Sequence, residues 1–132
     1  MNFRAALLTF VLLFSTTPLT AGTTLGLSDK AQLQAAMQAH IERASVAGRF
    51  LHIYSEDGVV RPLRPQVAHP KILRMEEYFV VCAEFEAPDG ANVNIDFFVA
   101  RRDKQFFVFD QQVDNRAFVR QLMKSGKAEL LR

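Results

Sequence analysis

The chain of 132 residues carries 16 Lys and Arg against 14 Asp and Glu, a net charge of +2, and it contains one Cys and three His. This length suits one domain with a modest core, and the near balance of charge argues against a nucleic-acid binder, which normally carries a clustered basic surplus. One Cys and three His exclude a disulfide or metal framework, so we expect neither a metal nor a cofactor.

The first segment of the chain has the pattern of a secretory signal peptide. Met1–Ala21 begins with a short region that contains Arg4, continues through an apolar run over residues 5–14, and ends in polar and small residues. The run of about ten apolar residues is well short of the roughly 20 needed to span a bilayer. We therefore expect cleavage after Ala21 and an exported protein, periplasmic or secreted, with one domain over residues 22–132 and no membrane span.

Helical and strand-like patterns follow one another after this leader. Apolar residues first recur at helical spacing, at Leu33, Met37, Ile41 and Ala44. Alternating runs come next, and a short last helix carries Phe118, Leu122 and Met123 on its apolar side. This order predicts an α+β fold, in which the N-terminal helix and the short C-terminal helix pack on one face of a curved antiparallel sheet of about four to five strands.

In this order of elements the chain resembles the cystatin-like and NTF2-like superfamilies, in which a curved antiparallel sheet cradles an N-terminal helix. The resemblance covers most of the chain after Ala21 and carries no specific motif. NTF2-like enzymes such as ketosteroid isomerases imply a pocket under the sheet. Fold analogy alone does not carry a function, so the resemblance implies a pocket rather than a reaction.

Two hairpin loops predict how the three longest strands face one another. A three-residue loop at 88–90 pairs Val81 with Phe97, and a second loop at 102–104 pairs Phe97 with Phe109. These pairs are apolar, and a slip by one residue would turn every side chain to the other face. One face of the three strands is therefore predicted to be the core, covered by the two helices.

The opposite face of these strands carries the candidate binding residues. The same register places Cys82, Asp96 and Asp110 in one row, so the two aspartates face each other on neighbouring strands. Like charges in this arrangement are unfavourable. Either a basic side chain lies across the pair, or the second register is off by two, or the carboxylates share a proton or hold a cation in a ligand site. His52, on a strand of unknown order, is a further candidate.

A second row on the same face is apolar, although this face is the nominally wet one. It consists of Val80, Phe98 and Val108. Such a row indicates partial cover by the Pro-rich segment, a homodimer or a protein partner, which makes Phe98 a candidate contact residue. Cys82 is interpreted as a small buried side chain, with an intermolecular disulfide or a reactive thiol as the alternative.

No motif of a known catalytic site is present in the sequence, which lacks a Gly-rich phosphate loop, H-E-x-x-H and G-x-S-x-G. We therefore expect an exported, non-catalytic binding or interaction module. The alternative is an NTF2-like small-ligand-binding or isomerase-type protein that uses Asp96 and Asp110 as a carboxylate pair in a concave pocket. Burial of both aspartates by a curled sheet would favour the alternative.

The leader pattern yields a direct prediction. We expect exported material to begin near Gly22, because cleavage after Ala21 removes the apolar run. Intact-mass spectrometry of protein recovered from the periplasm or the culture medium measures this. A mature chain that still begins at Met1 would contradict the prediction.

Overall fold

An N-terminal helix, a curved antiparallel sheet and a short C-terminal helix make up the computed structural model, which describes residues 25–131. This arrangement confirms the predicted α+β class. The predicted leader, Met1–Ala21, lies outside the described residues. No helix between residues 25 and 131 is both long and apolar enough to cross a membrane.

The elements are α1 Leu27–Arg43, β1 Ser45–Val46, β2 Arg49–Ile53, β3 Val60–Ala68, β4 Leu73–Met75, β5 Tyr78–Glu86, β6 Asn92–Arg102, β7 Gln105–Val113, α2 Arg116–Lys124 and β8 Glu129–Leu130.

Eight strands form one sheet over residues 25–131, more than the sequence pattern indicates. The main path runs β1-β2-β3-β5-β6-β7, with every neighbouring pair antiparallel. The same edge of β5 pairs with β4 at one end and with β3 at the other, and β8 pairs with β4. The additional strands β1, β4 and β8 are only two or three residues long, too short to show an alternating pattern.

Helix α1 covers one face of the sheet, here called the inner face. Its residues Leu33, Met37 and Ile41 recur every four positions, so they lie on one side of the helix, and all three are buried. They belong to a core cluster that also contains Phe50, Phe85 and Phe97 from the strands beneath. The helical spacing of the apolar residues therefore predicts this side of the core correctly.

Helix α2 lies on the other side of the sheet, here called the outer face, so the expectation that both helices share one face is wrong. Leu122 of α2 packs with Val80 and Phe98. Val80 directly precedes Val81 of the inner core, and Phe98 directly follows Phe97. Because neighbouring side chains in a strand point to opposite faces, Val80 and Phe98 lie on the outer face. The physical reason is that α1 already occupies the inner face, while the outer face offers apolar surface to a second helix.

This placement also corrects the expectation for Phe98. Its side chain is only 5% exposed beneath the C-terminal segment, so it is a core residue rather than a contact for an external partner. The apolar row of the outer face is thus largely covered within the chain itself. A Lys at this position would bury a charge, so we expect Phe98→Lys to unfold the protein.

The register of the β5–β6 hairpin is confirmed, whereas the predicted register of β6 and β7 is wrong. Val81 pairs with Phe97, as the three-residue loop requires. The second hairpin turns at two residues instead of three, and Asp103 there adopts a positive φ of 57°. The pairing then shifts by one further position, because Phe109 is an extra residue on β7, a β-bulge between the pairs Phe98–Asp110 and Val99–Val108.

The shifted register changes which side chains meet across β6 and β7. Asp96 pairs with Gln112, and Asp110 pairs with Phe98. Val108 turns to the inner face, where it packs against the core. The two aspartates therefore do not lie opposite each other, and the carboxylate pair predicted from the sequence is wrong.

Candidate functional site

A cleft of about 400 Å³ opens on the outer face between the sheet and α2. Its base is formed by side chains of neighbouring strands, among them Cys82 and Asp96, which pair across β5 and β6. One wall is α2, with Val119 and Arg120, and the segment that joins β3 to β4 contributes Lys71. The volume lies within the range of small-ligand pockets, roughly 300–1,000 Å³. We call this feature the Asp96 cleft.

Asp96 is buried at the base of the cleft, with 1% of its surface exposed. Its Oδ1 accepts a hydrogen bond from Nη1 of Arg116 at 3.1 Å, and the same nitrogen donates to Oδ1 of Asn94 at 3.3 Å. The other oxygen, Oδ2, is also buried and has no hydrogen-bond partner among the described residues. A buried polar atom without a hydrogen-bond partner lowers the stability of the fold by about 1–3 kcal/mol. A ligand that donates a hydrogen bond to this oxygen would therefore bind favourably.

Burial changes the proton affinity of both groups at the base of the cleft. It raises the pKa of Asp96, and the nearby guanidinium of Arg116 opposes this rise. It also raises the pKa of the Cys82 thiol, and the carboxyl of Asp96 adds to that effect. A thiol with a raised pKa is a poor nucleophile, because the thiolate is the reactive form. Cys82 was interpreted as a small buried side chain and is half-buried here, and its raised pKa disfavours the alternative of a reactive thiol.

Three basic side chains are among the residues that line the cleft. Arg116 and Arg120 are four residues apart, so they lie on the same side of α2, and Lys71 contributes a third positive charge. Asp96 is the one acidic residue that the described part of the chain contributes to the lining. The cleft therefore carries more positive than negative charge.

His69 and its neighbours hold the remaining side of the cleft in place. The backbone N–H of His69 donates to the carbonyl of Cys82 at 2.9 Å, and Nε2 of its ring lies 3.0 Å from Oε1 of Glu84. The carbonyl of His69 accepts from Nε2 of Gln34 in α1 at 3.0 Å. The imidazole is thus engaged with a carboxylate, so it has a structural partner that orients it beside Asp96.

The structure unites only some of the residues that the sequence singled out. Cys82, Asp96 and Phe98 share the outer face, but Asp110 is exposed beside Phe98 and does not line the cleft. His52 lies on the inner face, where its Nδ1 is 3.5 Å from Nε2 of Gln111 and burial lowers its pKa. It borders a separate, wider cleft of about 930 Å³. Asp110 and His52 therefore have no part in the Asp96 cleft.

The basic residues of the cleft were not predicted from the sequence. Arg116 and Arg120 come from α2, which was expected on the inner face, and Lys71 lies in the segment between β3 and β4, for which no site was predicted. The spacing of the two arginines by four residues was the available signal, but it does not reveal which face of the sheet the helix covers. No group of three or more His, Cys, Asp or Glu within residues 25–131 is placed to hold a metal ion.

Comparisons with protein-family models, with curated proteins and with solved structures find no match for this chain. The functional argument accordingly rests on the geometry of the Asp96 cleft.

The buried carboxyl makes a prediction about stability and pH. Because the pKa of Asp96 is raised in the folded state, ionising it costs stability, and this cost grows as pH rises from the unfolded to the folded pKa. We expect Asp96→Asn to increase the free energy of unfolding at pH 7, because the neutral amide carries no ionisation cost, by about 1 kcal/mol, the typical size of a single-residue effect on stability. The difference should vanish below about pH 3, where the carboxyl is protonated in both the folded and the unfolded state.

Urea unfolding of the wild type and the variant at both pH values measures this difference. Asp110→Asn is the matched control: its carboxyl is exposed and does not face Asp96, so we expect little change at either pH. A loss of stability in Asp96→Asn at pH 7 would contradict the prediction and would show that the ion pair with Arg116 outweighs the cost of burial.

Proposed function

We propose that the protein is an exported, non-catalytic binding protein that holds a small ligand in the Asp96 cleft. Export rests on the leader pattern of Met1–Ala21. The binding role rests above all on Oδ2 of Asp96, which is buried at the base of a cleft without a partner. An unpartnered buried oxygen lowers the free energy of unfolding, and a group that lowers stability inside a cleft is typical of a binding site.

The surroundings of Asp96 favour binding over catalysis. The isomerase-type alternative used Asp96 and Asp110 together, and Asp110 pairs with Phe98 rather than facing Asp96. The imidazole of His69 is engaged with Glu84, and the thiol of Cys82 has a raised pKa that makes it a weak nucleophile. The isomerase-type alternative therefore loses the carboxylate pair on which it depended.

Small amphipathic probes test this proposal. We suggest three probes that share a 4-propylphenyl body and carry an alcohol, an ammonium or a carboxylate group. We expect at least one to shift the amide NMR signals of β5, β6 and α2 around the cleft, because apolar side chains and Asp96 together line it.

Two variants with tryptophan at similarly exposed positions provide the control. Met123→Trp places a large ring in the cleft and should abolish the shifts, whereas Leu51→Trp lies outside the cleft and should leave them intact. Circular dichroism verifies that both variants fold. Shifts that map elsewhere, or none with any probe at millimolar concentration, would refute the proposed site.

A second candidate function, contact with another copy of this chain, is favoured by an apolar patch on the outer face of β2 and β3. Leu51, Ile53 and Val60 are 40%, 63% and 51% exposed there, and Ile53 pairs directly with Val60. Helix α2 packs against other strands and leaves this patch open. A continuous apolar patch of this kind is typical of an interaction surface, and in an isologous dimer it would meet its own copy.

Sedimentation velocity tests this candidate. We expect the wild type to self-associate weakly and Ile53→Lys to remain monomeric, because a charge at the centre of the patch would have to be desolvated in the dimer. Leu27→Lys is the control, since that side chain is exposed at the start of α1, on the other side of the sheet. A wild type that stays monomeric at high concentration would rule this candidate out.

A further inference from the structure

The Asp96 cleft is lined by both apolar and basic side chains. Leu73, Val119 and Leu130 provide apolar surface, while Lys71, Arg116 and Arg120 are the basic residues of its lining. With one carboxylate among these groups, the cleft keeps a positive surplus even when Asp96 is ionised. A cationic ligand would be repelled there, whereas an anionic group on an apolar body would find both kinds of complementary surface.

The free oxygen of Asp96 narrows the chemistry of that anionic group. Oδ1 is engaged by Arg116, and Oδ2 needs a hydrogen atom from outside the described chain. A sulfonate is the conjugate base of a strong acid, so its affinity for a proton is too low to share one with Asp96. A carboxylate differs, because one proton held between two carboxyl groups satisfies both and leaves one negative charge for the guanidinium groups.

We propose that the Asp96 cleft binds an apolar monocarboxylic acid, whose carboxylate lies among Arg116, Arg120 and Lys71 and shares one proton with Oδ2 of Asp96. This inference rests on the proposed function, since it names the ligand class of the same cleft. Binding of the carboxylate form to ionised Asp96 takes up one proton from solvent. The apolar body of the ligand packs against Leu73, Val119 and Leu130.

The shared proton requires a pH dependence with a definite sign. Affinity for the carboxylate should fall as pH rises above the pKa of Asp96, by up to about tenfold per pH unit, the limit for uptake of a single proton. Other groups near Asp96 also bear charge or titrate, and they are Cys82 and Glu84 on β5, His69 and Lys71 on the segment between β3 and β4, Asp110 on β7, and Arg116 and Arg120 on α2. A variant of Asp96 itself is therefore needed to assign the dependence.

Asp96→Asn gives opposite results for the two kinds of ligand. The amide of Asn resembles a permanently protonated carboxyl and donates a hydrogen bond, so it should bind a carboxylate about tenfold more tightly at pH 7, equivalent to about 1.4 kcal/mol. It should also remove the pH dependence that Asp96 contributes. A ligand that donates its own hydrogen atom, such as an alcohol or an amine, should instead lose affinity, because it loses an anionic acceptor.

Isothermal titration calorimetry with 4-propylbenzoate, 4-propylbenzyl alcohol and 4-propylbenzylamine tests the inference on the full mature protein. We expect the benzoate to bind most tightly and to take up a proton, seen as a dependence of the heat on the ionisation enthalpy of the buffer. Arg120→Gln should weaken benzoate binding several-fold and leave the alcohol unaffected. Arg102→Gln, at the tip of the β6–β7 hairpin, should change neither.

The outcomes separate this inference from the function on which it rests. Tightest binding of the alcohol or the amine, or weaker benzoate binding by Asp96→Asn, would overturn the carboxylic acid while leaving the cleft as a small-ligand site. Failure of all three probes to bind at millimolar concentration would overturn the ligand class and the proposed function together. We expect the His69→Gln variant to retain the pH dependence of benzoate binding. If that variant loses the pH dependence, the titrating group is His69 rather than Asp96, and the shared proton is refuted.

Discussion

The β5–β6 hairpin carries large apolar side chains on both of its faces, and the rest of the fold is arranged to keep both dry. Val81 and Phe97 point inward and Val80 and Phe98 outward, because successive residues of a strand alternate. Helix α1, 17 residues long, covers the inner side. Helix α2 has only nine residues and covers part of the outer side, so the cleft remains where its cover ends.

The sequence predicted the parts of this fold that depend on local patterns. Helical spacing in α1 and the three-residue loop of the first hairpin were sufficient for its inner core and for the register of β5 and β6. The second hairpin could not be predicted in the same way. The two-residue turn with Asp103 at positive φ and the bulge at Phe109 each move the pairing by one position in the same direction, so Phe97 pairs with Gln111. The choice between loop lengths depends on packing remote in sequence.

The candidate site was predicted in part for the same reason. Cys82 and Asp96 lie in the confirmed register, so their proximity on the outer face followed from sequence. Asp110 depended on the second register and was misplaced. Arg116 comes from a short amphipathic helix. An amphipathic pattern shows that a helix has an apolar side, but it does not show which face of the sheet that side packs against. The pairing of Arg116 with Asp96 is a tertiary contact across 20 residues of chain.

The bulge at Phe109 has a consequence for the solubility of the chain. Strand β7 pairs with β6 alone, so within residues 25–131 its other side presents unpaired backbone groups, and regular edges of this kind invite other chains to add as further strands. The extra residue bends β7 and interrupts the even spacing of donors and acceptors that an incoming strand would need. The ring of Phe109 makes edge-to-face contacts with Tyr78 and Phe98, 5.4 and 6.4 Å away between ring centres, which holds the irregularity in place. The bulge thus protects the protein from edge-to-edge aggregation.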